Sequence, residues 1–527
     1  MSDSARSKAS AYHLETLPNS TGSSTNVTKE DKRLWKEIKQ NLRITLFCLG
    51  LMSTALLTGY DTVVVGTITA LPYFQRDFGE KFGDSYIVPS LWLALWSAVA
   101  PIGQMAGAVL GGWIQDRLGR RKSIMIGSCF AVASIAVCYV SDKPDDIDAR
   151  RGVLLVGKTV LGFALGIMLA TTQTYMSEVT PAAIRGPILG LIPTGILLGQ
   201  LTGAIVIWSQ SSNKSANSYL ISIASQWPFS AAPFFVALVL PESPTWFIRK
   251  GRAELALRSL RKLYSGEEAA QKAMDQLVLS IEAESTAQEG DDVTYGECFK
   301  GTNRRRTGIV IFASLIPIIF GLPLLGQASY FIQIVGMAAE LSLVVLILGI
   351  ALGFIGNAIG LWVMSKIGRR TLIITSLSIS IVLWLGMGIA GIWSGTFTTW
   401  YTAATLMCVV VVNGVGSWPA SYAVGGEVSS LRLRARSQGI GWFTSSLGNG
   451  AINIVLPYIF NPDAGNLGAK LGFVISAFCC VGLAISWLMV PEMRGRSNTD
   501  IDRMFEIQLA TRKFKGWVLD TDNEHPH

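Results

Sequence analysis

Charged residues are scarce in this chain. They make up 15% of its 527 residues, against about 25% in ordinary soluble proteins, while 50% of the residues are hydrophobic and the mean hydropathy is +0.41. Three histidines and seven cysteines are present, and the cysteines have neither paired spacing nor a histidine cluster beside them. The sequence therefore indicates no disulfide framework and no metal site, and its composition is that of a membrane protein.

Enzyme and cofactor motifs are absent as well. The chain has no phosphate-binding glycine loop, no arrangement of nucleophile and base, and no set of metal ligands. Neither an enzyme nor an ATP-driven pump is predicted, and no cofactor is expected. The first residues are polar and rich in Ser and Thr, without the short apolar region of a cleavable signal peptide. We expect residues 1–43 to form a largely disordered cytosolic tail.

Apolar stretches long enough to cross a bilayer as helices recur along the chain. With the N-terminus inside, most Lys and Arg residues fall on cytosolic segments, as the positive-inside rule requires. Membrane topology, rather than nucleic-acid binding, therefore accounts for the net charge of +8. The predicted spans 1 to 12 are residues 44–68, 91–115, 122–140, 152–175, 187–209, 220–240, 307–335, 341–364, 371–393, 399–424, 436–460 and 470–490.

Two halves of the chain repeat at one spacing. The stretch "DRLGRR" recurs as "SKIGRR", which places Arg369 249 residues after Arg120. The stretch "SEVTPAAIR" recurs as "GEVSSLRLR" at the same offset. Such a repeat indicates a duplicated six-helix unit. The predicted fold is an all-α membrane protein with an N-terminal six-helix bundle at 44–240, a cytosolic helical linker at 241–306, a C-terminal bundle at 307–490 and a cytosolic tail at 491–527.

The repeated charged motifs fall at cytosolic helix ends. There, Arg and Glu side chains can pair across helices and hold the cytosolic side closed in one state. Snorkelling of the basic side chains, with a role in topology alone, is the alternative. The predicted cytosolic gate consists of Asp116, Arg120, Glu178, Arg185, Glu242, Arg369, Glu427 and Arg434.

Seven motifs together resemble the sugar porter family of the major facilitator superfamily, in its fungal hexose and α-glucoside branch. They are "GYDTVVVG", "GGWIQDRLGRR", "GKTVLGFALGIMLATTQTYMSEVTPAAIRG", "PESPTWFIRKGR", "KIGRR", "GEVSSLRLR" and "PEMRGRSNTDIDRMF". The likeness covers about residues 39 to 505. It implies two bundles around a central site, with alternating access by rocking of the halves, in a monomeric protein of the plasma membrane with both termini in the cytosol.

One acidic and one basic residue lie inside the predicted spans of the first half. Asp61 is in span 1 and Lys158 in span 4, and a charge at membrane depth costs about 2.5 to 3.5 kcal/mol. Their repeat mates, Val310 and Met407, are apolar. In proton-coupled relatives the resemblance implies an Asp beside an Arg at these places. We expect Asp61 to take the coupled proton and Lys158 to tune its affinity; an inert ion pair in a uniporter is the alternative.

Amide and aromatic side chains are the predicted substrate contacts, because each desolvated sugar hydroxyl needs a partner. The resemblance implies Gln200 in span 5 and Asn449 in span 11, with Tyr422 where many glucose porters carry Trp. Helix–helix hydrogen bonding is the alternative role for each polar residue. Span 7 is unusually apolar for a glucose site, and its Gly and Pro residues predict a broken helix. Further predicted neighbours of the substrate are Gln327, Tyr330 and Asn357.

The function predicted from these residues is proton-coupled symport of a sugar, a hexose or an α-glucoside, with protons and the lipid bilayer as the other partners and no role for nucleic acid. The apolar span 7 favours an alternative, the transport of a less polar small molecule such as a fungal metabolite. A non-transporting nutrient receptor is a third possibility, which the short C-terminal tail disfavours.

Overall fold

The computed structural model describes residues 36–68, 72–82, 85–211, 218–286, 294–393, 395–430, 432–460 and 465–517. Residues Asn41–His527 form one compact unit, and Met1–Gln40 form a second. Of this second unit only residues 36–40, which are helical, are described. Residues 1–35 of the N-terminal tail, which was predicted to be largely disordered, lie outside the described residues.

The first half contains spans 1 to 6 as helices. Spans 1 to 4 are single helices, and spans 5 and 6 each consist of two consecutive helices. Their bounds are Leu42–Ile68, Ser90–Leu118, Arg120–Tyr139 and Ile147–Val179, then Ala182–Leu189 with Leu191–Ser211, and Ser218–Ala224 with Trp227–Val239.

The second half repeats this arrangement, with span 7 divided into three helices and span 10 into two. Among the described residues, ten helices are long and apolar enough to cross a membrane, and spans 7 and 11 are not among them. Spans 7 to 12 are Gly301–Ile319 with Leu322–Gly326 and Ala328–Ile334, then Ala339–Ile367, Arg369–Ala390, Thr396–Val415 with Ser417–Val428, Arg434–Phe460, and Leu471–Met489.

The break in span 7 has a local cause. Gly321 has a φ of +95°, in the left-handed region that glycine adopts without a steric penalty. Pro323 follows at the start of the next short helix, where its missing N–H costs no helical hydrogen bond. The broken helix predicted from the Gly and Pro content is confirmed.

Short elements cover the two ends of the bundle. At one end, which we call the linker face, lie the helices Pro244–Arg249, Ala253–Leu263, Glu267–Thr286 and Asn498–Glu506. At the other end, the hairpin face, the helix Pro72–Phe78 leads into two antiparallel strands, Glu80–Phe82 and Ser85–Ile87, with Lys81 opposite Tyr86. The purely helical prediction did not include this hairpin.

Equivalent spans make equivalent contacts in the two halves. Span 1 packs on span 5, span 2 on span 4 and span 3 on span 6. In the same way, span 7 packs on span 11, span 8 on span 10 and span 9 on span 12. The halves meet where span 2 lies against span 11 and span 5 against span 8. These two contacts are themselves related by the repeat, so the interface has a pseudo-two-fold arrangement.

Glycines allow spans 2 and 4 to approach closely. Any Cβ at Gly107 would overlap the carbonyl oxygen of Phe163, and one at Gly162 would overlap that of Ala100. Small residues spaced in this way let helix backbones pack together in a membrane, where no hydrophobic effect drives helix association. Gly152 lies on the same helix of span 4, but a Cβ there would meet no neighbouring side chain or helix within 4 Å.

We expect Gly162→Leu to destabilise the protein by about 3 kcal/mol, as an overpacked interface does, and Gly152→Leu to leave it unchanged. Thermal unfolding and the yield of monodisperse protein on size-exclusion chromatography measure the difference. Equal behaviour of the two variants would contradict close packing of spans 2 and 4.

Candidate functional site

The structure brings Asp61 and Lys158 together inside the first half. Lys158 Nζ donates to Asp61 Oδ1 over 2.6 Å. The Lys158 side chain is 3% exposed and the Asp61 side chain 6%. Asp61 lies about 10 Å from the end of span 1 at the hairpin face, at 1.5 Å per residue. The pair is therefore buried in the half of the bundle nearer the hairpin face.

Apolar side chains adjoin this ion pair. Leu57 and Val64 share the helix face of Asp61, because they are four residues before and three after it. Leu161 stands in the same relation to Lys158, and all three are buried. Removing one member of such a pair leaves the other charge uncompensated, at a cost of about 3 to 5 kcal/mol. A lysine can avoid this cost by losing its proton, whereas an arginine keeps its charge.

Asn357, one of the predicted substrate residues, is hydrogen-bonded to other parts of the protein. Asn357 is fully buried, and its amide donates to the carbonyl oxygen of Gly414 over 3.1 Å while Thr194 Oγ1 donates to its Oδ1. Asn357 thus ties span 8 to span 10 and, across the interface between the halves, to span 5. In this conformation its hydrogen-bonding groups are engaged by protein.

Gln327 and Asn449 are connected through a residue that the sequence reasoning missed. Gln327 Nε2 donates to Asn453 Oδ1 over 3.1 Å, and Asn453 Nδ2 donates to Asn449 Oδ1 over 2.9 Å. Asn453 follows Asn449 by four residues, so a shared helix face was the available signal. The three amides join the broken span 7 to span 11.

Gln200 is half-buried, and its side chain makes no hydrogen bond within the described part of the chain. The side chain of Tyr330 lies outside the described residues, although its backbone belongs to the helix Ala328–Ile334.

A cavity of about 270 Å³, partly open to solvent, lies between span 4 of the first half and spans 7, 10 and 11 of the second. Among the described side chains of the predicted substrate set, Tyr422 alone lines it. Hydroxyl and aromatic groups dominate its wall. The lining residues are Gln173, Ala313, Ser314, Pro317, Ser421, Tyr422, Gly425, Trp442 and Ser445.

Gln173 and Trp442 were both missed from the sequence. Trp442 Nε1 donates to Gln173 Oε1 over 2.8 Å, and Gln173 Nε2 donates to the carbonyl oxygen of Tyr422 over 3.0 Å. The Tyr422 and Trp442 rings lie 5.6 Å apart between centroids. Gln173 and Tyr422 are 249 residues apart, which is the repeat offset, so this contact joins equivalent positions of the two halves.

The first predicted gate cluster lies within the first half. Arg120 pairs with Glu178 over 2.7 Å, with the side chains 1% and 0% exposed. Glu242 Oε1 accepts the backbone N–H of Arg120 over 2.7 Å, at the N-terminus of span 3, where the helix dipole favours a negative charge. Burial raises the pKa of the Glu242 carboxyl, against the opposing effect of the Ser243 and Arg120 backbone N–H groups.

The second cluster repeats the first in the second half. Arg369 pairs with Glu427 over 2.8 Å, and Glu492 Oε1 accepts the Arg369 backbone N–H over 3.1 Å. Gly119 and Gly368 precede the two capped helices with φ of +93° and +96°, and a Cβ at either would overlap the capping carboxylate. Only glycine fits at this position of each "GRR" motif, because of the positive φ and the close capping carboxylate.

Other charged side chains join the halves at the linker face. Arg436 Nε lies 3.0 Å from Asp116 Oδ2. Asn498 Oδ1 accepts from Arg185 over 2.7 Å and from Arg434 over 3.2 Å, so one amide of the C-terminal segment contacts both halves. The predicted Arg–Glu pairs lie within each half. The contacts across the interface involve the predicted residues Asp116, Arg185 and Arg434, together with Arg436 and Asn498, which the sequence reasoning missed.

Twelve spans in two related halves, with a buried ion pair and a cavity between the halves, define a membrane transporter of the major facilitator fold. Transporters of this class are not enzymes. The chain belongs to the Sugar (and other) transporter family, whose model matches residues 47–505. The resemblance read from the motifs is confirmed, and the protein is a multi-pass integral membrane protein.

Named relatives and solved structures agree with this assignment. The chain is 29% identical to the MFS transporter fmqE of Aspergillus fumigatus, over 95% of this chain and 94% of the relative. It is 29% identical to the maltose permease MAL31 of Saccharomyces cerevisiae, over 89% and 77%. The fold matches the proton:xylose symporter XylE bound to 6-bromo-6-deoxy-D-glucose with a TM-score of 0.76 and 19% identity, over 89% of this chain and 100% of that chain.

The two kinds of charged contact predict different variant behaviour. Arg369→Gln should lower the free energy of unfolding by about 3 to 5 kcal/mol, because Glu427 would remain buried without its partner. Arg436→Gln should cost about 1 kcal/mol or less, since the Asp116 side chain is 21% exposed. Thermal unfolding in detergent measures both.

Arg436→Gln should also loosen the contact between the halves. We expect a membrane-impermeant thiol reagent applied at the linker face to label a cysteine at Ser421 faster in this variant than in the parent. Equal stability losses in Arg369→Gln and Arg436→Gln would contradict the distinction between contacts within one half and contacts across the interface.

Proposed function

We propose that this protein is a proton-coupled symporter that moves a sugar across the membrane by alternating access, with Asp61 as the group that takes the coupled proton. The observation that carries the proposal is the buried ion pair between Asp61 and Lys158, 2.6 Å apart. The repeat mates of these residues, Val310 and Met407, are apolar. The fold repeats without a charge pair at that position, so the pair serves a purpose other than building a six-helix bundle.

In this cycle a proton reaches Asp61 from the hairpin face, which we take to be the outside of the plasma membrane. The linker face is then cytosolic, in agreement with the positive-inside rule, and both termini are proposed to lie in the cytosol. Protonation removes the carboxylate charge and breaks the ion pair, which leaves Lys158 as a buried ammonium without its counter-ion. When Asp61 gives its proton up to the cytosol, the carboxylate pairs with Lys158 again. Changing the charge state of a buried pair in this way alters how tightly spans 1 and 4 hold together.

A sugar is the first substrate class. The curated relatives named maltose permease and alpha-glucosides permease support it, as does the proton:xylose symporter whose fold matches. Tyr422 and Trp442 give the cavity an aromatic wall, and Ser314, Ser421 and Ser445 supply hydroxyls.

A less polar solute is the second substrate class, and one observation favours it. The carboxamide of Gln173, which is on the cavity wall, is already hydrogen-bonded to Trp442 and Tyr422. The amide of Asn357 is engaged by Gly414 and Thr194. Asn357 is not in the described cavity wall. With the Gln173 carboxamide occupied, the described wall offers hydroxyl groups but no unoccupied side-chain amide to replace the water around a sugar ring.

Thermal shift of the purified protein separates the two substrate classes. We expect D-glucose or maltose at millimolar concentration to raise the unfolding temperature by several degrees, since a ligand at 100 times its Kd contributes about 2.7 kcal/mol. A panel of apolar metabolites with one or two hydroxyls serves as the comparison. Stabilisation by these metabolites and by none of the sugars would favour the second class.

Proton coupling is tested with the solute that stabilises most, in proteoliposomes with an imposed pH gradient. Asp61→Asn should abolish accumulation against a gradient while equilibrium exchange continues, because the coupled proton has no acceptor. The double variant Asp61→Asn with Lys158→Met removes both charges and controls for the unpaired amine. Accumulation by Asp61→Asn at the wild-type level would refute the role of Asp61 and leave a uniporter with a structural ion pair.

Lys158→Arg gives a graded test of the same pair. We expect this variant to transport, but to need an outer solution more acidic by about one pH unit or more, because a guanidinium keeps its charge and holds the neighbouring carboxylate ionised. The pH profile of uptake measures the shift. A profile that superimposes on that of the wild type would show that Lys158 does not tune the proton acceptor.

A further inference from the structure

Gln173 is the one residue that the first half contributes to the described lining of the cavity. The other lining residues come from spans 7, 10 and 11 of the second half. Its side chain is nearly fully buried and makes two hydrogen bonds, both across the interface: it accepts from the Trp442 indole over 2.8 Å and donates to the Tyr422 carbonyl over 3.0 Å. One carboxamide thus connects span 4 to spans 10 and 11.

A second buried glutamine makes a similar bond without crossing the interface. Gln438 Nε2, on span 11, donates to the carbonyl oxygen of Gly425 over 2.6 Å. Gly425 lies three residues after Tyr422 on span 10, so Gln173 and Gln438 contact the same stretch of helix. The two glutamines differ in the half from which they come. Gln438 therefore provides a matched control for Gln173 within the same chain.

Separation of the two halves at the linker face has a specific consequence at this point. If span 4 moves away from spans 10 and 11, the Trp442 indole N–H and the Tyr422 carbonyl lose their partner together. A buried polar group that loses its hydrogen-bond partner raises the free energy of that state, whereas exchanging one partner for another changes it little. Opening is therefore favoured when another molecule in the cavity supplies an acceptor to Trp442 and a donor to Tyr422.

We propose that Gln173 is a specificity-determining residue, whose carboxamide closes the cavity toward the linker face and is replaced by the substrate during transport. The substrate then carries a hydrogen-bond acceptor beside a donor, as two neighbouring hydroxyls or a carboxamide do, and binds against the Tyr422 and Trp442 rings, which lie 5.6 Å apart. This inference rests on the proposed alternating-access cycle, and it names the groups through which substrate occupancy favours opening.

The rate at which a reagent enters the cavity from the linker face tests, without any substrate, whether the two hydrogen bonds of Gln173 close the cavity. The parent for this test is Ser445→Cys, which places a cysteine on the cavity wall. A membrane-impermeant maleimide is applied to inside-out vesicles, and the labelling of the protein without this cysteine is subtracted as the background. Gln173→Leu should label at least five to ten times faster than the parent, since about this factor is expected for one lost hydrogen bond and Gln173 makes two. Gln438→Leu should label within about twofold of the parent. Equal rates for the two leucine variants would overturn the proposal.

Trp442→Phe provides the second variant, so that the test survives if Gln173→Leu does not fold. It keeps an aromatic ring and removes the indole N–H, and it should also speed labelling. In the double variant the two effects should not add, because both substitutions break the same bond. Additive effects of the two substitutions would contradict a shared bridge.

The role in specificity is measured separately by transport kinetics. With D-glucose or maltose as the probe, Gln173→Leu should change the relative KM for solutes with and without neighbouring hydroxyls, whereas Gln438→Leu should not. Unchanged relative KM would overturn replacement of the carboxamide by substrate. If the wild type moves neither class of solute in any assay, the proposed function fails, while the labelling result still decides whether Gln173 closes the cavity.

Discussion

The interior of a bilayer offers no water to a charge or an amide, and this constraint determines where polar groups occur in the molecule. Each unsatisfied backbone group in hydrocarbon costs several kcal/mol, and each unpaired charge costs more. Asp61 is accordingly paired with Lys158, and Arg120 with Glu178. Because such groups must have partners, a conformational change that separates partners needs a replacement for each of them. The paired groups are thus also the points at which protons or solutes can alter the conformation.

The duplication gives two kinds of residue pair. Where both mates are alike, as with Arg120 and Arg369, the contacts repeat in each half and stabilise it. Where the mates differ, the contact is unique: Asp61 and Lys158 are charged in the first half alone. The repeated Arg–Glu clusters therefore belong to the architecture, whereas the ion pair of Asp61 and Lys158 is an addition to one half.

Sequence reasoning succeeded where the signal is local or repeated along the chain. Hydrophobic length predicted the spans, the constant offset predicted two halves, and charge complementarity predicted that Lys158 would accompany Asp61. It missed Trp442 as a partner of Gln173, because that bond depends on how two folded halves dock. The hydrogen bonds that engage Asn357 were equally invisible, since they come from spans 5 and 10. A residue's chemistry is readable from sequence, but whether a neighbour has already engaged it is not.

Span 4 carries both of the groups on which the proposed cycle depends. Lys158 faces Asp61 nearer the hairpin face, and Gln173 faces Trp442 and Tyr422 nearer the linker face. They are fifteen residues apart, about 22 Å along one helix at 1.5 Å per residue. Coupling between distant sites requires an element whose position both sites influence, and this uninterrupted helix, Ile147–Val179, satisfies that requirement. In the proposed cycle, protonation of Asp61 weakens the contact of span 4 with span 1, and a solute that replaces Gln173 weakens the contact of span 4 with the second half. Full release of span 4 would then need both ligands, which is the condition for symport rather than leakage of either one.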